Sequence, residues 1–271
     1  MPLKTINSKS LFYTDTPSTS TSSNSTPNTT LFIHGLGSSS CFYSTIIPAL
    51  TSQSRCIALD TPGSGLSSLG TQEREQTIGT IAEDALALLD ALNVREKIVV
   101  IGHSMGGIVA SCMAARFKER VKGVVLLGPV NPAESLKEVF GKRVEVVKAD
   151  GLEPLANTIP TGATGSKSTA LHHAFIRSLI LGTSPEGYIS LCNAIANATK
   201  PNYGSIEVPL LILAGEDDKT APLAASEAIA REYGTKDGEK KVEVLKGVGH
   251  WHCVEASEEV ARLVGGFLGR P

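Results

Sequence analysis

The sequence predicts an α/β fold: a mostly parallel central sheet with helices on both faces, carrying an inserted helical cap. Three observations predict it. Short apolar, β-branched runs alternate with helical patterns along most of the chain, the rhythm of a parallel sheet covered on both faces. That rhythm breaks between 131 and 204, where helical patterns follow one another with no convincing strand. At the centre, the run Ile98-Val99-Val100-Ile101 stops at Gly102-His103-Ser104-Met105-Gly106, and helical spacing begins at once with Ile108, Val109 and Ala110. A G-x-S-x-G turn between a buried strand and a helix holds its serine in a strained conformation, so the positions two before and two after must lack side chains. Gly102 and Gly106 meet that need. Ser104 Oγ is expected to stand above the sheet with helix amides behind it. The expected division is a core of 1–130 and 205–271 around a cap of 131–204.

The chain has 271 residues, enough for one large domain with a sizeable core. Residues 3–13 read as a strand pair, with Leu3, Ile6, Leu11, Phe12 and Tyr13 as its apolar members. Residues 14–30 are almost entirely Ser, Thr, Asn and Pro, a composition that cannot build a core, and read as a surface loop joining two strands. Leu31-Phe32-Ile33 is the next strand; it runs into His34-Gly35-Leu36-Gly37-Ser38, and a helix is expected over 42–50. Residues 55–59 form a strand that ends in the turn-rich Asp60-Thr61-Pro62-Gly63-Ser64-Gly65. Over 77–92, Ile78, Ile81, Ala82, Ala85, Leu88, Leu89 and Leu92 recur at helical spacing, with Glu83, Asp84 and Asp90 expected off that face. A strand over 121–127 closes at Gly128-Pro129. Cap helices are expected over 136–149, 170–181 and 185–198, interrupted by a glycine- and serine-rich piece at 161–168. The alternation resumes with a strand over 209–214, a helix over 223–233 and a strand over 241–245. The last helix, 257–268, is expected to open on Ser257 as N-cap, with Glu258 and Glu259 in its first turn.

A serine hydroxyl is a poor nucleophile until a base removes its proton, and that base must be held in one tautomer by a third group. Two downstream strand ends offer such partners: Gly215-Glu216-Asp217-Asp218 and Gly247-Val248-Gly249-His250. Both lie where a parallel sheet presents its carboxyl ends, the edge at which ligands bind. His250 is preferred as base over His252 because it ends the glycine-containing loop. Asp218, three residues past Gly215, is preferred as the orienting acid over Asp217, with Glu216 third. His34 is expected to brace its loop, and His103 to face away from Ser104 inside the turn. His172 and His173 read as surface residues of the insertion. Acyl transfer puts negative charge on the carbonyl oxygen, which aimed amides stabilise. The expected oxyanion donors are the backbone N–H groups of Met105 and of Leu36, the latter flanked by two glycines.

A rival layout is dinucleotide binding: a strand, Gly35-Leu36-Gly37, a helix, then Asp60 at the next strand end. The third glycine position holds Ser40, Asp60 runs straight into a proline-glycine turn, and Ser104, Asp218 and His250 stay unexplained. With a net charge of -2 and no basic run, nothing favours nucleic acid or an anionic membrane surface. Residues 1–16 lack the apolar core of a signal peptide, and no run is long enough to span a bilayer. Five scattered cysteines without a C-x-x-C pair read as reduced, mostly buried thiols, not a disulfide framework or zinc site. The expected setting is cytoplasmic, with no metal.

The pieces H-G-L-G-S (34–38), D-T-P-G-S-G (60–65), G-H-S-M-G-G (102–107), G-E-D-D-K-T-A-P (215–222) and G-V-G-H (247–250) together resemble the α/β-hydrolase superfamily over nearly the whole chain. Ser184-Pro185-Glu186-Gly187-Tyr188, with Cys192, Ala194 and Ile195, is similar to a cap helix of the 3-oxoadipate enol-lactonase-like branch. The resemblance implies hydrolysis of a small-molecule ester or lactone without metal or cofactor. The chain departs from that branch at 156–170, which lack the tryptophan expected there; the only tryptophan is Trp251. Two other readings stay open. One is carbon–carbon bond hydrolysis of a diketone on the same scaffold. The other is a slow-turnover small-molecule receptor whose contacts are residues 14–30 and the cap surface.

Overall fold

The computed structural model describes residues 2–20, 28–71 and 75–269. Among them eight strands form one sheet: β1 (Leu3–Ile6), β2 (Lys9–Thr16), β3 (Asn28–Ile33), β4 (Ser54–Leu59), β5 (Ile98–His103), β6 (Val121–Leu127), β7 (Leu210–Gly215) and β8 (Lys240–Leu245). Their spatial order is β1-β2-β4-β3-β5-β6-β7-β8. The first two pairings are antiparallel and the rest are parallel. β1 and β2 close through Asn7 and Ser8, both at positive φ (47° and 64°), the two-residue turn whose twist matches a hairpin.

The central strands are solvent-free. Leu31, Phe32, Ile33, Ile98, Val100 and Ile101 are all buried, as a parallel sheet covered on both faces requires. Helix α1 (Ile47–Leu50) packs against the last helix, α10 (Ser257–Leu268). Helix α2 (Ile78–Ala91) packs on α3 (Met105–Arg116), and α8 (Leu223–Glu232) lies against β7 and β8. Right-handed crossovers place α2, α3 and α8 on one face and α1 with α10 on the other. Between β6 and β7 the chain forms four helices: α4 (Ser135–Asp150), α5 (Glu153–Gly162), α6 (Ala170–Leu181) and α7 (Pro185–Ala196). No helix of the described residues is long and apolar enough to cross a membrane.

Several expectations are corrected. Both ends of the 14–30 stretch are strand, because Thr29 and Thr30 bury their hydroxyls against Glu96 (2.6 Å) and Ser54 (2.6 Å). Residues 21–27 lie outside the described residues. The helix expected over 42–50 is a 3-10 turn, Ser40–Tyr43, followed by the single turn α1, which has Pro48 as its second residue. Helix α5 was not foreseen, since Pro154 and Pro160 obscure its pattern; Pro154 sits in the first turn, where its missing N–H costs nothing. The final helix has Ala256, not Ser257, at its cap position, and Ser257 is its first helical residue. A one-turn helix, α9 (His252–Glu255), precedes it.

Asp84 also departs from expectation. It points inward from α2, accepting bonds from Asn7 Nδ2 (2.9 Å) and Lys9 Nζ (2.6 Å) and so pinning the β1–β2 hairpin to the helix. Asp84→Asn removes the charge but keeps the shape. It is expected to lower stability by about 2 kcal/mol, measured as a urea midpoint shift at unchanged slope. An unshifted midpoint would show that the pair holds nothing.

Candidate active site

Ser104 occupies the turn between β5 and α3 at φ 54° and ψ -117°. Its N–H donates to Leu127 O (3.0 Å), and its carbonyl accepts from Gly107 N–H (2.9 Å). The two flanking glycines are required by contact. A Cβ on Gly102 would lie 2.1 Å from Gly106 O, and one on Gly106 would lie 2.1 Å from Ile33 O. Backbone occupies the space a side chain would need.

The loops after β7 and β8 bring two of the expected side chains to Ser104. His250 Nε2 lies 2.9 Å from Ser104 Oγ, and His250 Nδ1 lies 2.8 Å from Asp218 Oδ2. A carboxylate at Nδ1 keeps the hydrogen there, leaving Nε2 free to accept the serine proton. Asp218 Oδ1 accepts the N–H groups of Thr220 and Ala221, each at 2.8 Å. Burial pushes the Asp218 carboxyl up, but the charge and hydrogen bond of His250, with the Ala221 amide, hold it below the ordinary carboxylate value. The two rejected acids are engaged elsewhere: Asp217 accepts from Ser166, and Glu216 accepts Gly247 N–H at 2.8 Å.

The other histidines hold backbone. His34 donates from Nδ1 to Gly35 O (2.7 Å) and accepts Thr61 N–H at Nε2 (3.0 Å), bracing the loop above Ser104. His103 Nε2 and His252 Nδ1 both donate to the His250 carbonyl, at 2.8 and 2.9 Å. His103 is stacked on Phe42 with ring centroids 4.3 Å apart. Burial lowers the pKa of His34, drives that of His103 well below its ordinary value, and brings that of His252 down to about 4. In the insertion, His172 completes the cap of α6, and His173 meets Thr164 and Ser168.

Leu36 lines a small cavity, about 40 Å³, together with Ser104 and His250. Its loop rests on the serine: a Cβ on Gly35 would be 2.9 Å from Ser104 Cβ. The Leu36 and Met105 N–H groups form no hydrogen bond with another described residue. The walls are Phe140, Arg143, Ile159, Ile180, Tyr188 and Ile195 from α4 to α7, with Trp251 beside His250. Trp251 thus supplies the cavity's tryptophan from the His250 loop. A larger cavity, about 580 Å³, lies between α2, α3 and the end of α7 and is lined by neither Ser104 nor His250.

The nucleotide layout does not fit. Gly35-Leu36-Gly37 leads only into a 3-10 turn, and the Asp60 carboxylate is occupied by the N–H groups of Ser40 (2.6 Å) and Leu66 (2.9 Å). Among the described residues no three His, Cys, Asp or Glu side chains gather as a metal site. All five cysteines are free thiols, three of them buried.

A family model described as alpha/beta hydrolase fold matches residues 29–257. The chain belongs to the α/β-hydrolase family. Within it, the chain is 29% identical over 245 residues to 3-oxoadipate enol-lactonase 1 of Acinetobacter baylyi, covering 88% of this chain and 87% of that one. It is 30% identical over 201 residues to 3-oxoadipate enol-lactonase 2 of the same organism, covering 72% and 73%. The enol-lactonase structure from Burkholderia xenovorans LB400 superposes with a TM-score of 0.87 at 24% identity, over 99% of this chain and 100% of that one. In this α/β-hydrolase the contacts of the segment between α5 and α6 carry no sequence signal: Ala163, Gly165 and Ser166 bond the His250 and Asp217 loops directly. Glu255, which joins them, carried only the signal of being a carboxylate close behind His250.

The buried imidazoles set an acid limit. An unfolded histidine titrates near 6.5 and folded His252 near 4, so between these values protons bind the unfolded chain preferentially. Stability is expected to be full above about pH 7 and to fall as pH drops toward 4, His252 alone accounting for on the order of 3 kcal/mol. Urea unfolding across pH 4–8 checks this. Equal stability at pH 7 and 4.5 would contradict it.

Proposed function

We propose that this α/β-hydrolase cleaves a small-molecule ester or lactone through Ser104, His250 and Asp218. The observation that carries the proposal is the hydrogen-bonded chain from Ser104 Oγ to His250 (2.9 Å) to Asp218 (2.8 Å) on the floor of a cavity. The enol-lactonase relatives support the bond type. In this reading Ser104 Oγ attacks the carbonyl carbon while His250 Nε2 takes its proton, and Asp218 stabilises the imidazolium. The developing oxyanion is met by the N–H groups of Leu36 and Met105. His250 then protonates the leaving oxygen, giving an acyl-enzyme. Water, activated by the same nitrogen, attacks the ester carbon, and Ser104 regains its proton as the acid leaves. Residues 131–204 act as the cap that shapes the acyl pocket over a core of 1–130 and 205–271.

The cavity walls refine the substrate. Arg143 stands among apolar side chains, 5.2 Å from the centre of the Phe140 ring and in contact with the Tyr188 hydroxyl, and it forms no ion pair with a described residue. A guanidinium so placed favours a substrate with a carboxylate at the end away from the scissile bond.

Hydrolysis of a panel of aryl esters and small lactones by wild type and Ser104→Ala tests the reaction. Loss of the nucleophile should lower kcat about a million-fold. A wild type inert on the panel, or a mutant that still cycles, would overturn the proposal. Arg143→Gln is expected to raise KM for a carboxylate-bearing ester at least about ten-fold while leaving a neutral aryl ester within about two-fold. Equal changes for both would remove Arg143 from recognition.

A further inference from the structure

Three buried carboxylates of the described residues lie outside the Ser104–His250–Asp218 chain: Asp60, Asp84 and Glu255. The first two hold loops and a hairpin. Glu255 is placed differently. Its Oε1 accepts Trp251 N–H (2.9 Å), and its Oε2 accepts Gly249 N–H (3.0 Å). The amides immediately before and after His250 therefore end on one carboxylate. Oε2 accepts a third N–H, from Gly165 of the segment between α5 and α6, at 2.6 Å.

That third bond joins two parts of the molecule far apart in sequence. The His250 N–H itself donates to Ala163 O (2.8 Å), and Lys167 N–H donates to Gly247 O (2.9 Å). Ser166 donates through N–H (2.9 Å) and Oγ (3.0 Å) to Asp217, next to Asp218. The two backbones touch: a Cβ on Gly249 would be 2.5 Å from Gly165 N, and one on Gly165 would be 2.6 Å from Gly247 O. Only a carboxylate can take three N–H donors without offering a hydrogen in return, and bonds to a charged acceptor are the stronger kind.

We propose that Glu255 is a positioning residue that fixes His250 through its backbone and makes the seating of segment 163–168 a condition for a working base. The proposal rests on the reading of His250 as general base. With Gly249, Trp251 and Gly165 bound to one carboxylate, the imidazole has a defined approach to Ser104 only while the insertion is docked. A base misplaced by about an ångström can cost roughly a hundred-fold in rate. Glu255→Gln breaks the arrangement, because its amide NH2 must face either Trp251 N–H or the Gly165 and Gly249 pair.

On a small neutral aryl ester, below the melting temperature of every variant, Glu255→Gln is expected to lower kcat about 10- to 100-fold with KM within about three-fold. Asp84→Asn, a buried carboxylate remote from the site, is the comparator, expected to lower Tm and leave kcat unchanged. Hydrogen exchange is the second readout: peptides spanning 163–168 and 247–252 should lose protection together in Glu255→Gln. If that variant does not fold, Gly165→Ala separates the same two backbones and is expected to give the same kinetic and exchange pattern. A folded variant with kcat within about three-fold of wild type, or one whose exchange rises in only one segment, would overturn the proposal. An inert wild type would count against the hydrolase reading, and the exchange experiment would still judge Glu255.

Discussion

Ser104 is held at φ 54° and ψ -117°, a backbone conformation that costs a serine on the order of 1–3 kcal/mol and persists only where the surroundings impose it. The imposition comes from the core. Gly106 lies against Ile33 and His34 carbonyls of the neighbouring strand, Gly102 lies under the first turn of α3, and the serine N–H is bonded to the end of β6. β5 sits between β3 and β6 in fully buried pairing, so the turn cannot relax without disturbing the centre of the sheet. The parallel order then delivers the rest. β7 and β8 end beside it, and their loops carry Asp218 and His250 into hydrogen-bond range.

Polar groups around the proposed base are satisfied from several directions. The His250 carbonyl takes two imidazole N–H groups, its own N–H goes to Ala163, and the amides on either side go to Glu255. Holding His103 and His252 neutral by burial keeps two extra positive charges away from the His250 imidazole. Helices α4 to α7 line the cavity beside Ser104 with apolar side chains and one guanidinium, while the loop after β4 meets α7 backbone to backbone at Gly63 and Gly187. The site and the insertion are one packed unit.

Much of this was legible because its causes are local. The apolar runs of β5 to β7, the spacing of α2 and the glycines of the Ser104 turn each follow from short-range sterics and periodicity. Asp218 was separable from Asp217 by its offset from Gly215. Other features depend on partners distant in sequence. Thr29 and Thr30 read as loop residues because their buried acceptors, Glu96 and Ser54, lie elsewhere in the chain. Asp84 read as surface because Asn7 and Lys9 meet it only after folding. Helix α5 is stabilised by packing on α6 despite its two prolines, and the glycine- and serine-rich segment after it looked like an interruption when its backbone is a contact surface for the His250 loop. Composition marked an interruption where close backbone approach is the reason for Gly165.

Covalent labelling with an aryl fluorophosphonate, followed by peptide mapping, tests the proposed nucleophile most directly. Stoichiometric modification at Ser104, lost in His250→Ala, is the expected result. Modification at another residue, or labelling of Ser104 that persists at the same rate without His250, would contradict the Ser104–His250–Asp218 mechanism.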